Sequence, residues 1–165
     1  MYRRSIPALF LAILAVVLFI APQAFAIKTG AVAPDFELPT LEGEKVRLSD
    51  YRGQVILLKL ATTWCPTCQE QTEEIEKAGE FLAEENVAFI EVFLQDSKKM
   101  VREYLEGQQY PMPFVALLDD GSALKAYNVY LIPRVLIIGP DFKVRKDGSL
   151  MSADELIKMV KKIEG

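Results

Sequence analysis

Residues 55–70 read VILLKLATTWCPTCQE, an apolar run followed at once by the only two cysteines of the chain. The apolar run predicts a short buried strand. From Pro66 to about Glu85, small and apolar residues recur at three- and four-residue spacing, which predicts an amphipathic helix. The predicted inward face comprises Cys68, Thr72, Ile75, Gly79 and Leu82. Cys65 therefore lies where a strand passes into a helix, and Cys68 lies one turn further along.

The cysteine pair has three interpretations: a structural disulfide, part of a metal site, or a redox centre. A disulfide that closes so short a loop contributes about 2 kcal/mol or less, so it is an inefficient structural link. The chain contains no histidine and no further cysteine, so a four-ligand zinc site is not indicated, although copper on two thiolates stays open. The free N–H groups at the start of a helix favour a thiolate at Cys65. We therefore favour a redox centre in which Cys65 attacks and Cys68 resolves the mixed disulfide.

The composition excludes several classes of protein. With 165 residues, of which 51% are hydrophobic and 25% charged, the chain is long enough for one globular domain with a core. A formal net charge of −4 makes nucleic acid a poor candidate partner. The absence of histidine also excludes Cys-His and Ser-His nucleophile pairs.

Residues 1–26 have the features of an export signal. Arg3 and Arg4 precede the apolar run IPALFLAILAVVLFIA, and PQAFA supplies a cleavage site after Ala26. An uncleaved membrane anchor is the alternative, since the run is long enough to span a bilayer. In both cases we expect residues 27–165 to form one domain delivered across the membrane.

The order of predicted elements indicates an α/β fold. Residues 46–48 (VRL) and the turn signal from Asp50 to Gly53 predict a small N-terminal hairpin. Strands and helices then alternate, and two strands joined at 139–141 precede a last helix that SADE opens, with Ser152 as its N-cap. A central mixed β-sheet with helices on both sides is the simplest architecture for this order.

The motif WCPTC after an apolar strand, with LIPRVLII some 65 residues later, resembles the extracytoplasmic thioredoxin-like reductases of the TlpA/ResA/DsbE group. This group includes thioredoxins of cytochrome c maturation. The opening APDFELPTLEGEKVRLSDYRGQVILLKLATTWCPTC is similar to that group's hairpin extension, first core strand and active-site turn. The combination is more specific than a C-x-x-C motif alone, and it covers nearly all of residues 28–165.

The resemblance implies a thioredoxin-like fold with Cys65 as nucleophile and Cys68 as resolving thiol. It also implies a cis peptide bond at Ile132-Pro133, facing the disulfide and presenting backbone to the substrate chain. Trp64 would add a flat apolar surface for docking, and its other role would be partial core packing. Pro66 suits the first turn of the helix and lies beside the sulfurs. Trp64, Pro66, Ile132 and Pro133 are therefore the expected substrate contacts.

Two residues depart from the group's pattern. Lys59 lies six residues before Cys65, where thioredoxin has a buried aspartate, and it either extends to a polar edge or acts beneath the disulfide. Arg134 follows the predicted cis proline and could attract an acidic partner or favour the thiolate. Glu91 and Asp96 are the acidic candidates for a base that serves Cys68.

The expected function is an exported thiol:disulfide oxidoreductase that reduces protein disulfides, with apocytochrome c as one candidate substrate. A membrane electron donor similar to DsbD or CcdA would restore its thiols, and no organic cofactor or metal is needed. A thiol peroxidase is one alternative, because Thr62 precedes Cys65 by three residues; against it, Leu58 stands where such chains carry proline. A thioredoxin-like module that binds a partner or delivers copper is the other.

Overall fold

The computed structural model describes residues 27–164. The segment predicted to be a signal or anchor, residues 1–26, lies outside the described residues. No helix in the described part of the chain combines the length and the apolar character needed to cross a membrane.

Strands and helices alternate along most of the chain. The strands are β1 (Glu37–Pro39), β2 (Lys45–Arg47), β3 (Ile56–Ala61), β4 (Ala88–Phe93), β5 (Phe114–Leu118), β6 (Arg134–Ile138) and β7 (Val144–Gly148). The α-helices are α1 (Pro66–Lys77), α2 (Gly79–Glu84), α3 (Lys98–Leu105), α4 (Ser122–Ala126) and α5 (Ala153–Glu164). A 3-10 helix spans Leu48–Tyr51. The predicted order of elements is confirmed.

The main sheet has five strands in the order β5-β4-β3-β6-β7. Strands β3, β4 and β5 are parallel, whereas β6 and β7 run antiparallel to their neighbours, so the predicted mixed sheet is confirmed. Every residue of the central strand β3 is buried. The segment that leads into the cysteines is therefore held at the middle of the fold.

Helices cover both faces of this sheet. Side chains alternate between the two faces along each strand, and the buried strands place apolar side chains on both. Leu58 and Leu60 face a cluster that includes Tyr127 and the N-terminal hairpin. Leu57 faces the opposite cluster, where Ile75 of α1 and Leu156 of α5 pack. The CxxC segment and α1 thus lie against one face of the central strand.

The N-terminal hairpin is present, but its turn lies elsewhere than predicted. Strands β1 and β2 pair antiparallel with Leu38 opposite Val46, so the turn lies in residues 40–44. The predicted turn signal from Asp50 to Gly53 instead follows the hairpin. Asp50 accepts a hydrogen bond from the backbone N–H of Arg47 at 3.1 Å, and this contact starts the 3-10 helix that leads towards β3.

The helix predicted from Pro66 to about Glu85 is divided at Ala78 into α1 and α2. Its buried face is as predicted, with Ile75 and Leu82 fully inside. A Cβ atom on Gly79 would lie 2.9 Å from Cγ of Pro111. The lack of a side chain at Gly79 thus lets the proline ring pack against the chain where the two helices meet.

Candidate active site

Cys65 and Cys68 lie at the N-terminus of α1, directly after the loop that leaves β3. The two cysteines form a disulfide with their Cα atoms 5.2 Å apart. Cys65 is the N-cap of α1, and its Sγ accepts a hydrogen bond from the backbone N–H of Cys68 at 3.3 Å. Pro66 occupies the first turn, where its missing N–H costs no hydrogen bond.

The two cysteines differ in exposure. Cys65 keeps 6% of its surface exposed, whereas Cys68 has none. Cys68 packs with Ala61 of β3 and with Ile132, inside the small cluster that surrounds the disulfide. An attacking or attacked group from solvent can therefore reach Cys65 but not Cys68.

The electrostatic surroundings of Cys65 favour its thiolate form. The N–H groups that begin a helix, together with its dipole, stabilise negative charge at the N-cap position. The Thr67 hydroxyl also lies 3.3 Å from Sγ of Cys65. Thr67 was not among the residues predicted from the sequence, although its position between the two cysteines indicated that its hydroxyl would lie close to a sulfur.

The peptide bond between Ile132 and Pro133 is cis, as the resemblance implied. Ile132 packs against the cluster that Ala61 forms with the two cysteines, so this loop lies beside the disulfide. Tyr130 and Leu131, which precede it, are 76% and 82% exposed. Sequence analysis missed these two, although an apolar pair directly before a proline loop is unusual at a surface and was a usable signal.

Trp64 is 62% exposed. The two predicted roles of Trp64 were docking of a partner and partial core packing. Only the smaller, buried part of the residue is available for core packing. The larger part is a flat apolar surface directly before the accessible cysteine.

Lys59 and Glu91 form an ion pair beneath α1. They are paired positions of the adjacent strands β3 and β4, so their side chains lie on the same face of the sheet. Nζ of Lys59 lies 2.7 Å from Oε1 of Glu91, and the side chains are 0% and 1% exposed. The alternative in which Lys59 extends to a polar edge is therefore wrong: helix α1 covers the central strand, and the ammonium finds its partners inside.

The carboxylate of Glu91 is only partly satisfied. Its Oε2 atom has no hydrogen-bond partner among the described residues. Burial raises the pKa of Glu91, and the nearby Lys59 ammonium opposes that shift. A buried carboxylate with one free oxygen and a raised pKa is suited to take up a proton.

Thr72 links this ion pair to the segment that carries Cys68. Its Oγ1 accepts a hydrogen bond from Nζ of Lys59 at 2.5 Å and donates one to the carbonyl oxygen of Cys68 at 3.2 Å, one turn earlier in α1. The hydroxyl of Tyr104, on α3, is 2.9 Å from the same Oγ1. The periodicity of α1 indicated that Thr72 is buried, but only the tertiary structure brings Tyr104 to it.

Asp96 supports the loop that precedes Cys65. Its carboxylate accepts hydrogen bonds from the backbone N–H of Thr63 at 2.8 Å and from the Thr63 hydroxyl at 3.0 Å. Both oxygens are therefore engaged with the loop, which holds Trp64 and Cys65 in place.

Arg134 is not available to an acidic partner, which corrects the sequence-based hypothesis. Its guanidinium donates to both carboxylate oxygens of Asp147, at 3.0 and 2.6 Å. The same side chain also donates to the carbonyl oxygens of Tyr127 and Asn128. Its charge is neutralised, and its contacts hold the start of the loop that leads to Ile132-Pro133.

Comparisons with known proteins agree with this geometry. Residues 29–147 match the model of the AhpC/TSA family. The chain is 31% identical over 121 residues to the thiol-disulfide oxidoreductase ResA of Geobacillus thermodenitrificans, covering 73% of this chain and 69% of that protein.

Solved structures show the same fold. A candidate thiol:disulfide interchange protein DsbE from Chlorobium tepidum superimposes with a TM-score of 0.73 at 25% identity, covering 84% of this chain and 99% of that one. MTB dsbF, in its mixed oxidized and reduced forms, gives a TM-score of 0.69 at 27% identity, covering 82% and 99%. The thioredoxin-like fold expected from the sequence is confirmed.

Proposed function

The chain belongs to the AhpC/TSA family and is a thiol-disulfide oxidoreductase, and we propose that it acts as a reductase of protein disulfides outside the cytoplasm. The observation that carries this proposal is the difference in exposure between the two cysteines of one disulfide. An accessible Cys65 at a helix N-terminus is suited to attack, and an enclosed Cys68 is suited to resolve.

The proposed cycle starts with both cysteines reduced. The Cys65 thiolate attacks one sulfur of a substrate disulfide; the other sulfur leaves as a thiolate and takes a proton from solvent. The Cys68 thiol then loses its proton and attacks Sγ of Cys65. The second substrate sulfur leaves, Cys65 and Cys68 form their disulfide, and two electrons have passed to the substrate.

We assign to Glu91 the acceptance of the proton that Cys68 loses. Its free Oε2 can bind a proton, burial raises the pKa of this carboxyl, and the adjacent Lys59 ammonium opposes that shift. The pair carries no net charge, so it imposes less repulsion on a Cys68 thiolate than a lone buried carboxylate would. Asp96 serves as a positioning residue for the loop that carries Cys65.

The substrate chain contacts the surface around Cys65. Trp64 and Pro66 flank the nucleophile in sequence, and the backbone at Ile132-Pro133 lies beside the disulfide. A peptide strand that presents its disulfide to Cys65 would lie along this loop. Exported proteins, with apocytochrome c as one candidate, are the expected substrates.

Turnover requires that the Cys65–Cys68 disulfide be reduced again. The apolar segment at residues 1–26 supports delivery across the membrane, where a membrane donor similar to DsbD or CcdA would supply electrons. The disulfide itself is the proposed redox group, with no organic cofactor or metal.

Whether the protein reduces or oxidises its substrates is tested by measuring the Cys65–Cys68 reduction potential, through equilibration with glutathione and dithiothreitol buffers. Related C-x-x-C proteins span about −270 to −120 mV. A potential near the reducing end, with insulin disulfides reduced by the wild type and not by Cys65→Ser, supports a reductase. A potential near the oxidising end overturns the reducing direction.

A thiol peroxidase is the second candidate, because Thr62 is buried and lies three residues before Cys65 in the sequence. The hydroxyl of Thr62 has no partner among the described residues. Hydrogen peroxide consumption that is lost in Thr62→Val and retained in Cys68→Ser would support this activity. Retention of Cu(I) without insulin reduction would instead indicate a copper-delivery module.

A further inference from the structure

We propose that Thr72 and Tyr104 form the path by which the buried Lys59–Glu91 pair exchanges protons with solvent. The proposal deepens the function above, because it rests on Cys68 as the thiol that loses a proton in each cycle. In this role Thr72 and Tyr104 act through the Lys59–Glu91 pair and not on the substrate or the sulfurs, so they are positioning residues rather than catalytic ones.

A path is required because the groups involved are enclosed. Cys68 and Lys59 have no exposed surface, and Glu91 is 1% exposed. A proton that Glu91 accepts must reach water before the next cycle, or the carboxylate stays protonated. Proton transfer between such groups needs an unbroken series of hydrogen-bond contacts.

The structure contains such a series. Oε1 of Glu91 lies 2.7 Å from Nζ of Lys59, which lies 2.5 Å from Oγ1 of Thr72. That Oγ1 lies 2.9 Å from the hydroxyl of Tyr104. The Thr72 hydroxyl, which donates to the Cys68 carbonyl oxygen in this structure, turns towards Tyr104 when it passes its proton on. Tyr104 is partly exposed on α3, so the series runs from the centre of the sheet, past α1, to the surface.

The proton balance closes along this series. The Lys59 ammonium passes one proton to Thr72, whose hydroxyl passes its own proton to Tyr104, which releases one to water. Protonated Glu91 then returns a proton to the Lys59 amine. The ion pair is restored, and one proton has left the protein for each Cys68 thiol oxidised.

Other titratable groups near Glu91 do not offer the same route. The hydroxyl of Tyr110 donates to Gln108 rather than to Thr72 or Lys59, and burial raises its pKa. Asp96, whose negative charge also raises the pKa of Glu91, has both oxygens engaged with Thr63. Tyr110 therefore provides a matched control, because it is a phenol near the same pair outside the series.

The experiment follows the reaction of the reduced protein with oxidised glutathione by stopped flow. Trp64 is the only tryptophan of the chain and adjoins Cys65, so its fluorescence reports both steps. The step that depends on glutathione concentration is attack by Cys65, and the step that does not is closure by Cys68. Both are measured across pH in H₂O and D₂O for the wild type, Tyr104→Phe and Tyr110→Phe.

We expect Tyr104→Phe to slow closure at least about tenfold and to increase its solvent isotope effect, since a proton-transfer group has been removed. Attack by Cys65 should be unchanged in this variant, and both steps should be unchanged in Tyr110→Phe. Closure with wild-type rate, pH profile and isotope effect in Tyr104→Phe overturns the path, and so does an equal loss in Tyr110→Phe. A wild type that shows no attack by Cys65 contradicts the proposed function instead.

Discussion

Arg134 and Asp147 join two strands across the end of the loop that carries the cis proline. The guanidinium makes two hydrogen bonds to the carboxylate, and the side chains are 11% and 9% exposed. Arg134 also holds the carbonyl oxygens of Tyr127 and Asn128. The pair thus fixes both ends of the segment that contains the exposed Tyr130 and Leu131.

We expect Arg134→Met to impair reduction of a protein substrate without impairing the chemistry of Cys65. Misplacement of a contact surface lowers kcat/KM, here by about tenfold for insulin, whereas attack on oxidised glutathione needs no loop contact. Removing one partner of a largely buried pair should also cost about 3–5 kcal/mol of unfolding free energy. Asp147→Asn is the matched variant, and equal losses with both substrates would show that the loop has no role in docking.

The Lys59–Glu91 pair should show strong energetic coupling. Lys59→Met and Glu91→Gln each leave one buried polar partner uncompensated, at an expected cost of about 3–5 kcal/mol. The double variant removes the ammonium and the carboxylate charge together and should be closer to the wild type than either single variant. Urea unfolding of the wild type, the two single variants and the double variant gives the coupling energy of this double-mutant cycle. Additive losses of unfolding free energy would mean that the pair does not interact as the structure indicates.

Stability should depend on pH through Glu91. Burial raises the pKa of Glu91 above its ordinary value of 4.5, although Lys59 opposes the shift. A carboxyl with a higher pKa folded than unfolded contributes stability that is complete below about pH 4.5 and is lost as pH rises through the folded pKa.

The comparison that isolates this contribution is the wild type against the Lys59→Met, Glu91→Gln double variant at several pH values. The wild type should lose unfolding free energy relative to the double variant as the pH rises above about 4.5. All other carboxyl groups are common to both proteins and cancel in the difference. A difference that is constant or increases with pH would contradict the raised pKa.

Trp64 should contribute to substrate binding and little to stability. Because it is 62% exposed, Trp64→Ala should change unfolding free energy by no more than about 0.5 kcal/mol. An aromatic contact at the centre of a docking surface is worth enough to lower kcat/KM for insulin by about tenfold. Val32, which is 61% exposed and pairs with Lys143 at the edge of the sheet, offers the control substitution Val32→Ala. Equal effects of the two variants on insulin reduction would exclude a docking role for Trp64.

Local sequence patterns determined the redox segment and most of the secondary structure. An apolar run, a short loop and an amphipathic helix place Cys65 at an N-cap and Cys68 on the buried face, because strand alternation, helix periodicity and capping act within a few residues. The predicted position of the hairpin turn was wrong because local patterns are ambiguous there. Asp50 and Gly53 suit a hairpin turn, but they suit a 3-10 helix and the turn after that helix equally well.

Only the tertiary structure decided the partners of the charged residues. Lys59 meets Glu91 because β3 and β4 are neighbours in one particular register, and Arg134 meets Asp147 because β6 and β7 are. Tyr104 reaches Thr72 because α3 packs beside α1 at one depth. The helix and strand propensities of a segment are compatible with many strand registers and helix packings. A given contact between distant segments forms in only one of those arrangements. The sequence alone therefore singled out the cysteine pair, and the packed fold determined which buried groups lie within hydrogen-bond distance of one another.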